Sequence, residues 1–364
     1  MPRIDAFLKL GREQGCSDVH FAVNTPPLLR FNGELSPIKY RSLSSEELES
    51  LILEILTEKQ LKEFQNNHSL DFSYQSEETG RFRVSLFKKI GGLGAAFRII
   101  APSIPELNEL GLPPVMEKML VHQQGMILVT GSTGTGKSTT LASMIQYLNV
   151  RKRLNIITLE DPVEYIHKSQ KSLVVQREIG THVETYNEGL RAALREDPDV
   201  ILVGELREPD TIMMAMAAAE TGHLVLGTLH TTSAIKSIDR IIDVMPNEQK
   251  SQASGFLAQH LRCVISQKLL RTADGRSRKA IFEVFINSPA ISNLILNGKV
   301  FQIPAILQTG KEMGMQLMDQ ALMTALQRKE IDPDDAYLNA TDKQQFQRFV
   351  TNPDLLPQVN LAVS

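Results

Sequence analysis

Gly125-Met-Ile-Leu-Val-Thr130, Gly131-Ser-Thr-Gly-Thr-Gly-Lys-Ser138 and Thr139-Thr-Leu-Ala-Ser-Met-Ile-Gln-Tyr-Leu148 follow one another without a break. The first stretch is a short apolar run, the form of a strand buried on both faces, and the last has helical spacing. Between them lies G-x-x-x-x-G-K-[ST]. Gly131, Ser132, Thr133, Gly134, Thr135 and Gly136 supply backbone N–H groups that wrap phosphate at a helix N-terminus. Lys137 reaches the β and γ oxygens and the Ser138 hydroxyl ligates magnesium, with Thr139 beside it in the first helical turn. A chance glycine-rich turn would lack both flanking elements, so the stretch reads as a nucleotide-binding core of α/β class.

Outward from it, apolar runs alternate with helical segments. NIITLE, SLVVQ, VILVG and HLVLGTL are strands, with helices through Ala192 and over Met213 to Glu220. The pattern predicts a mostly parallel sheet covered by helices. Three of these runs carry further chemistry. Asp199-Val-Ile-Leu-Val-Gly-Glu205 is a buried strand ending in a carboxylate, with Gly204 where many phosphate-loop enzymes place a magnesium-directing aspartate. Thr158-Leu-Glu-Asp-Pro-Val-Glu164 brings Glu160, Asp161 and Glu164 to the sheet edge where open α/β folds bind ligands, as candidates for magnesium or water activation. In Thr221-Gly-His-Leu-Val-Leu-Gly-Thr-Leu-His230 a strand is bracketed by two histidines. His230 falls where a γ-phosphate sensor would sit, and His223 is a weaker candidate.

The preceding region, residues 1–100, mixes short helices and strands as an α+β domain. Helical spacing covers Ser45 to Leu56 and Glu58 to Phe64, and Leu70 to Tyr74, Phe82 to Phe87 and Ala95 to Ile100 are extended. Arg81 and Arg83 share one strand face because side chains alternate, and Arg98 lies on the last strand. Arginines so placed are surface residues or reach a γ-phosphate, often from another subunit. Prolines concentrated over 101–117 mark a linker or hinge. Residues 118–364 then form the nucleotide-binding domain, which ends in a helical appendage containing strands at Val264 to Leu270 and Ala280 to Ile286.

A net charge of −3, no tryptophan and 5% aromatic residues disfavour a nucleic-acid motor, which needs a basic track or stacking rings. Cys16 and Cys263 are too few and too far apart for a disulfide scaffold or a zinc module. The chain opens on an amphipathic helix, and no apolar run approaches the length of a span. A cytoplasmic protein without direct membrane insertion is expected.

Taken together, GSTGTGKS, ITLEDPVEY, ILVGE and TGHLVLGTLH occur in the order that characterises the type II and type IV secretion and pilus ATPase family, which this chain resembles. SDVHF, PPLLRFNG, GRFRVSLF, LREDPDVILVGELR and GMQLMDQAL extend the likeness over nearly the whole length, and to the pilus retraction motors in particular. The resemblance implies a RecA-like core, a PAS-like N-terminal domain and a homo-hexameric ring that hydrolyses ATP with Mg2+. It implies that Lys137 and Ser138 bind phosphate and magnesium and that Glu205 and Glu160 share magnesium and water activation. Arg83 and Arg98 match arginines that reach a neighbouring subunit's nucleotide, and His230 matches the sensor. An inner-membrane platform protein at the base of the pilus, and a paralogous motor ATPase, are the implied partners. Retraction motors carry AIRxLIR where this chain reads Ala290-Ile-Ser-Asn-Leu-Ile-Leu296, with Ser292 and Leu296 in place of both arginines. An accessory or regulatory motor subunit therefore stands beside the retraction motor as a reading. Extension and secretion motors add an N-terminal domain and a tetracysteine module, for which this chain has neither length nor cysteines.

Overall fold

The computed structural model describes residues 2–31, 33–100 and 103–357. They form two compact units. One runs to Ile104 and also holds Pro162–Ile166; the other is Pro105–Asp161 together with the chain from His167 onward.

The first unit contains α1 (Asp5–Glu13), β1 (Asp18–Ala22), β2 (Leu28–Phe31), β3 (Glu34–Pro37), α2 (Ser45–Leu53), α3 (Glu58–Asn67), β4 (Ser69–Ser76), β5 (Gly80–Lys89) and β6 (Gly92–Ile99). Its six strands make an antiparallel sheet in the order β3-β2-β1-β6-β5-β4. Period-two alternation gives this sheet two different faces. Val19, Phe21, Leu29, Phe82, Val84, Leu86 and Phe97 are buried in one core with Ile4 and Leu8 at α1 and Leu48 and Ile52 of α2. The opposite face is polar: Arg30, Asp18, Arg98, Arg83 and Ser73 are successive cross-strand partners. Ser44 caps α2, which stops at Leu53 rather than Leu56 because Thr57 starts α3 with a capping box to Gln60.

The second unit contains α4 (Val115–Met119), β7 (Gly125–Thr130), α5 (Lys137–Arg151), β8 (Asn155–Glu160), β9 (Leu173–Glu178), α6 (Tyr186–Ala193), β10 (Val200–Val203), α7 (Pro209–Glu220) and β11 (Leu224–Leu229). It continues with α8 (Ala234–Val244), α9 (Lys250–His260), β12 (Leu261–Arg271), β13 (Arg278–Ile286), α10 (Pro289–Leu296), α11 (Ile303–Thr309), α12 (Met318–Gln327) and α13 (Pro333–Asn339). The strand order is β13-β12-β7-β11-β10-β8-β9, and only the edge strand β13 runs antiparallel to its neighbour. Every residue of β7, β10 and β11 is buried, as continuous apolar runs in a sheet covered on both faces must be. Each large aliphatic side chain so enclosed contributes about 1.5–3 kcal/mol. A smaller core joins Leu270 and Ile281 to Met318, Leu322, Tyr337 and Phe346 in the C-terminal region.

The expected linker over 101–117 is shorter in the structure. Ala101 and Pro102 lie outside the described residues. Leu107, Leu112 and Met116 are buried in the core of the second unit, and Val115 to Met119 is helical. Pro113 and Pro114 precede that helix, where a missing N–H costs nothing.

Candidate active site

The phosphate loop leaves the carboxyl end of β7 and enters α5. Gly131 has φ 148° and Gly136, the N-cap of α5, has φ 90°, conformations that L side chains resist. A Cβ at Gly131 would also stand 2.5 Å from the main-chain oxygen of Gln267, so only glycine fits there. The Lys137 ammonium donates to Gly131 O at 2.8 Å and Ser132 O at 3.0 Å, so the loop encloses it. Thr135 Oγ1 donates to Ser132 O at 2.9 Å, and Ser138 is exposed at the start of α5.

Gln267 is buried on β12 and joins both sides of this loop. Its amide nitrogen donates to Thr135 O, and its amide oxygen accepts from the buried Thr140 hydroxyl at 2.8 Å. The sequence reading missed it. The available signal was an amide between the apolar pairs Val264–Ile265 and Leu269–Leu270 of the strand, where burial demands hydrogen-bond partners.

The carboxylates emerge from neighbouring strands. Val203 pairs with Leu159 in register, and Gly204 N donates to Leu159 O at 2.8 Å. Glu205 and Glu160 are thereby brought to the carboxyl ends of adjacent parallel strands, the edge that also bears the phosphate loop. Glu205 Oε1 receives the Arg207 guanidinium and lies 3.1 Å from His230 Nε2. Glu160 Oε1 accepts from Thr158 Oγ1 at 2.6 Å and from Gln176 Nε2 at 3.2 Å. Asp161 is exposed, next to Glu160. The Tyr186 phenol, at the first turn of α6, is pushed well above its ordinary pKa by burial and by the charges of Asp161, Glu205 and Glu160, so it stays protonated.

Arg83, Arg98 and Glu164 belong to the first unit. Arg83 and Arg98 are direct cross-strand partners; Arg98 Nε donates to Asp18 Oδ1 at 3.1 Å, and Arg83 Nη1 lies 3.8 Å from Glu164 Oε1. Glu164 thus pairs with Arg83 within the first unit, although it lies only four residues after Glu160 in sequence. Arg81, which shares the Arg83 face, donates to Val163 O at 2.9 Å and so fastens the Pro162–Ile166 segment to the first unit.

This geometry can be set beside known proteins. The type II/IV secretion system protein family matches residues 4–354. The chain belongs to that family. It is 43% identical to the type IV pilus retraction ATPase PilT of Pseudomonas aeruginosa, over 94% of this chain and 99% of that protein. It is 38% identical to the type IV pilus ATPase PilU of the same organism, over 92% of this chain and 88% of that protein. The crystal structure of the pilus retraction motor PilT with bound ADP superposes with a TM-score of 0.87 at 41% identity, covering 95% of this chain and 99% of that one. The chain is a PilT-like secretion ATPase.

Within this secretion ATPase the two histidines of the TGHLVLGTLH segment have separate surroundings. His230 follows the last residue of β11 and meets Glu205; His223 precedes the first, at the opposite edge of the sheet, where its Nδ1 donates to Ala218 O at 2.9 Å near the end of α7. His223 therefore closes a helix end. Among the described residues, no group of three or more His, Cys, Asp or Glu side chains converges on a metal position, and no helix is long and apolar enough to cross a membrane.

Proposed function

We propose that this chain hydrolyses ATP in a homo-hexameric ring and that the ring drives retraction of a type IV pilus, and with it twitching motility, by withdrawing pilin subunits at the fibre base. The observation that carries the reading is the phosphate loop with Glu205, Glu160 and His230 on one sheet edge, in a chain that matches PilT over 94% of its length. Lys137 and the loop N–H groups hold the β and γ phosphates. Arg207 and His230 both engage Glu205 through Oε1, so Oε2 is the atom to accept a proton from attacking water while they hold the carboxylate in place. Glu160, fixed by Thr158 and Gln176, borders the same space.

The residues present fit a magnesium ion. Its ligands would be the Ser138 hydroxyl and the carboxylates of Glu205 and Glu160, hard oxygen donors of the kind this cation takes. Bound there, it supplies neutralisation of charge on the β and γ oxygens. Arg83 and Arg98, on the open polar face of the first unit's sheet, are proposed to reach the γ-phosphate of the next subunit in the ring. Closing and reopening of that inter-subunit interface would use the segment about Ile104, one of the three places where the chain passes from one unit to the other. Attachment to the cytoplasmic face of the inner membrane would come through the platform protein.

A second reading, an accessory motor of the PilU kind that works beside a paralogue, is favoured by the Ala290–Leu296 segment. Ser292 is turned into the fold, its hydroxyl donating to Ala258 O and Asn287 Oδ1, and Leu296 is exposed where retraction motors carry the second arginine.

The test is steady-state ATPase activity of size-fractionated protein, wild type beside Lys137→Ala and Glu205→Ala, with and without single-stranded DNA. Turnover confined to the hexamer fraction, abolished by both changes and indifferent to DNA, is expected. A well-folded wild-type hexamer that binds ATP without turnover would overturn the motor reading in favour of the accessory one. Mixing Arg83→Ala with Lys137→Ala subunits should restore part of the activity if the arginine acts across subunits.

A further inference from the structure

Gly204 stands where many phosphate-loop enzymes carry an aspartate, and the structure shows what occupies the space a side chain there would need. A Cβ built on Gly204 lies 3.0 Å from the Tyr186 hydroxyl, 3.0 Å from Leu159 O and 3.3 Å from Glu160 Cα. The phenol therefore reaches from α6 to the ends of β8 and β10, beside the backbone that leads into Glu160 and Glu205. Its placement is supported one turn further on: a Cβ at Gly189 would be 2.9 Å from Leu159 Cδ2, so α6 lies close against β8 and a larger residue there would have to displace that leucine side chain. Leu190 and Ala193, buried on the same side of α6, hold the helix there, and Thr185 caps it by accepting from Glu188 N at 3.2 Å.

We infer that Tyr186 is a positioning residue of the hydrolytic site, its phenolic O–H standing in for the side chain that Gly204 lacks and orienting the attacking water between Glu160 and Glu205. The chemistry suits the place. An aspartate at 204 would add a further carboxylate beside Glu160 and Glu205, whereas a neutral phenol adds a donor there without adding charge. The exchange also leaves Glu205 and Glu160 as the carboxylates for cation and proton. A purely packing role for the ring would need no hydroxyl at all, and this is what separates the two roles.

The inference rests on the ATPase reading above, and the experiment keeps the two apart. Tyr186→Phe, in the full chain, retains the ring and removes one hydroxyl. Expected is a fall in kcat of roughly ten- to a hundredfold, the size of one hydrogen bond to a charged site, with KM for ATP, hexamer assembly and Tm all at wild-type values. A kcat within about twofold of wild type, in protein whose wild type turns over normally, would overturn the inference and leave the ATPase reading intact. Wild type that fails to turn over at all would instead sink that reading. The placement is then decided by Tm alone. Gly204→Ala should cost less in the Tyr186→Phe background than in wild type, because the contact at 3.0 Å is relieved. Strictly additive losses would overturn the contact and the inference with it.

Discussion

Gln267→Met tests whether the phosphate loop is held in shape from β12. Methionine matches glutamine in length and removes both hydrogen bonds, to Thr135 O and from Thr140 Oγ1. Each is worth about 1 kcal/mol net, and the Thr140 hydroxyl, with none of its residue exposed, loses a partner at a further cost of about 1–3 kcal/mol. Back-bonding to the carbonyl of Gly136 one turn earlier would recover part of that. A total of about 2–4 kcal/mol corresponds to a Tm lower by roughly 5–10 °C for a unit of this size. If about half of it falls on the loop in its phosphate-binding shape, the Kd for ADP rises about tenfold. Calorimetric titration with ADP, well below either melting temperature, reads this directly. Leu270→Ala, on the same strand but in the C-terminal core, is the control for lost stability without lost loop support. The reasoning fails if Gln267→Met binds ADP as wild type does while melting as low as the control.

Two further outcomes follow from buried titratable groups. His167 is held down to about 4 from an ordinary 6.5 by desolvation, so the unfolded chain binds the proton more tightly. Stability is full above pH 6.5 and is lost as pH falls towards 4, by up to about 3 kcal/mol, and urea melts of His167→Asn should show that acid limb flattened. An unchanged limb would locate the acid sensitivity elsewhere. Glu283, buried on β13, accepts from Ala234 N at 2.8 Å and Met318 N at 3.4 Å, and burial raises its pKa, so its contribution is best below the ordinary glutamate value and declines as pH rises through the raised one. Glu283→Ala strands two N–H groups at helix starts and should cost about 3–5 kcal/mol, while Glu283→Gln keeps one acceptor without a buried charge and should stay within about 1–2 kcal/mol of wild type at pH 7. Equal losses would show that packing, not hydrogen bonding, is what Glu283 supplies.

Much of this protein was legible in the chain because its decisive signals are local. The phosphate loop needs glycines, a lysine and a serine at fixed offsets between a strand and a helix, and all of these lie within residues 125–148. The strands that lead to Glu160, Glu205 and His230 are largely apolar runs with the charged or polar residue at the end of the run or within two residues of it, the form that burial on both faces favours. Beyond such runs the reading weakened for physical reasons. β1, β2 and β3 have only four or five residues each, and β3 is exposed throughout, so no alternation announces them. Prolines over 101–117 suggested a linker, yet tertiary packing draws Leu107, Leu112 and Met116 into the second unit's core. Glu164 shares an acidic segment with Glu160, but the chain changes units between Asp161 and Pro162. Sequence alone determined the class of chemistry, since phosphate binding is written in neighbouring residues. Only the tertiary structure decided that Gln267 braces the loop from 132 residues away and that Tyr186 fills the space at Gly204. Those relations exist only once strands pair and α6 lies against β8, and no period or motif in the chain encodes a distance across the sheet.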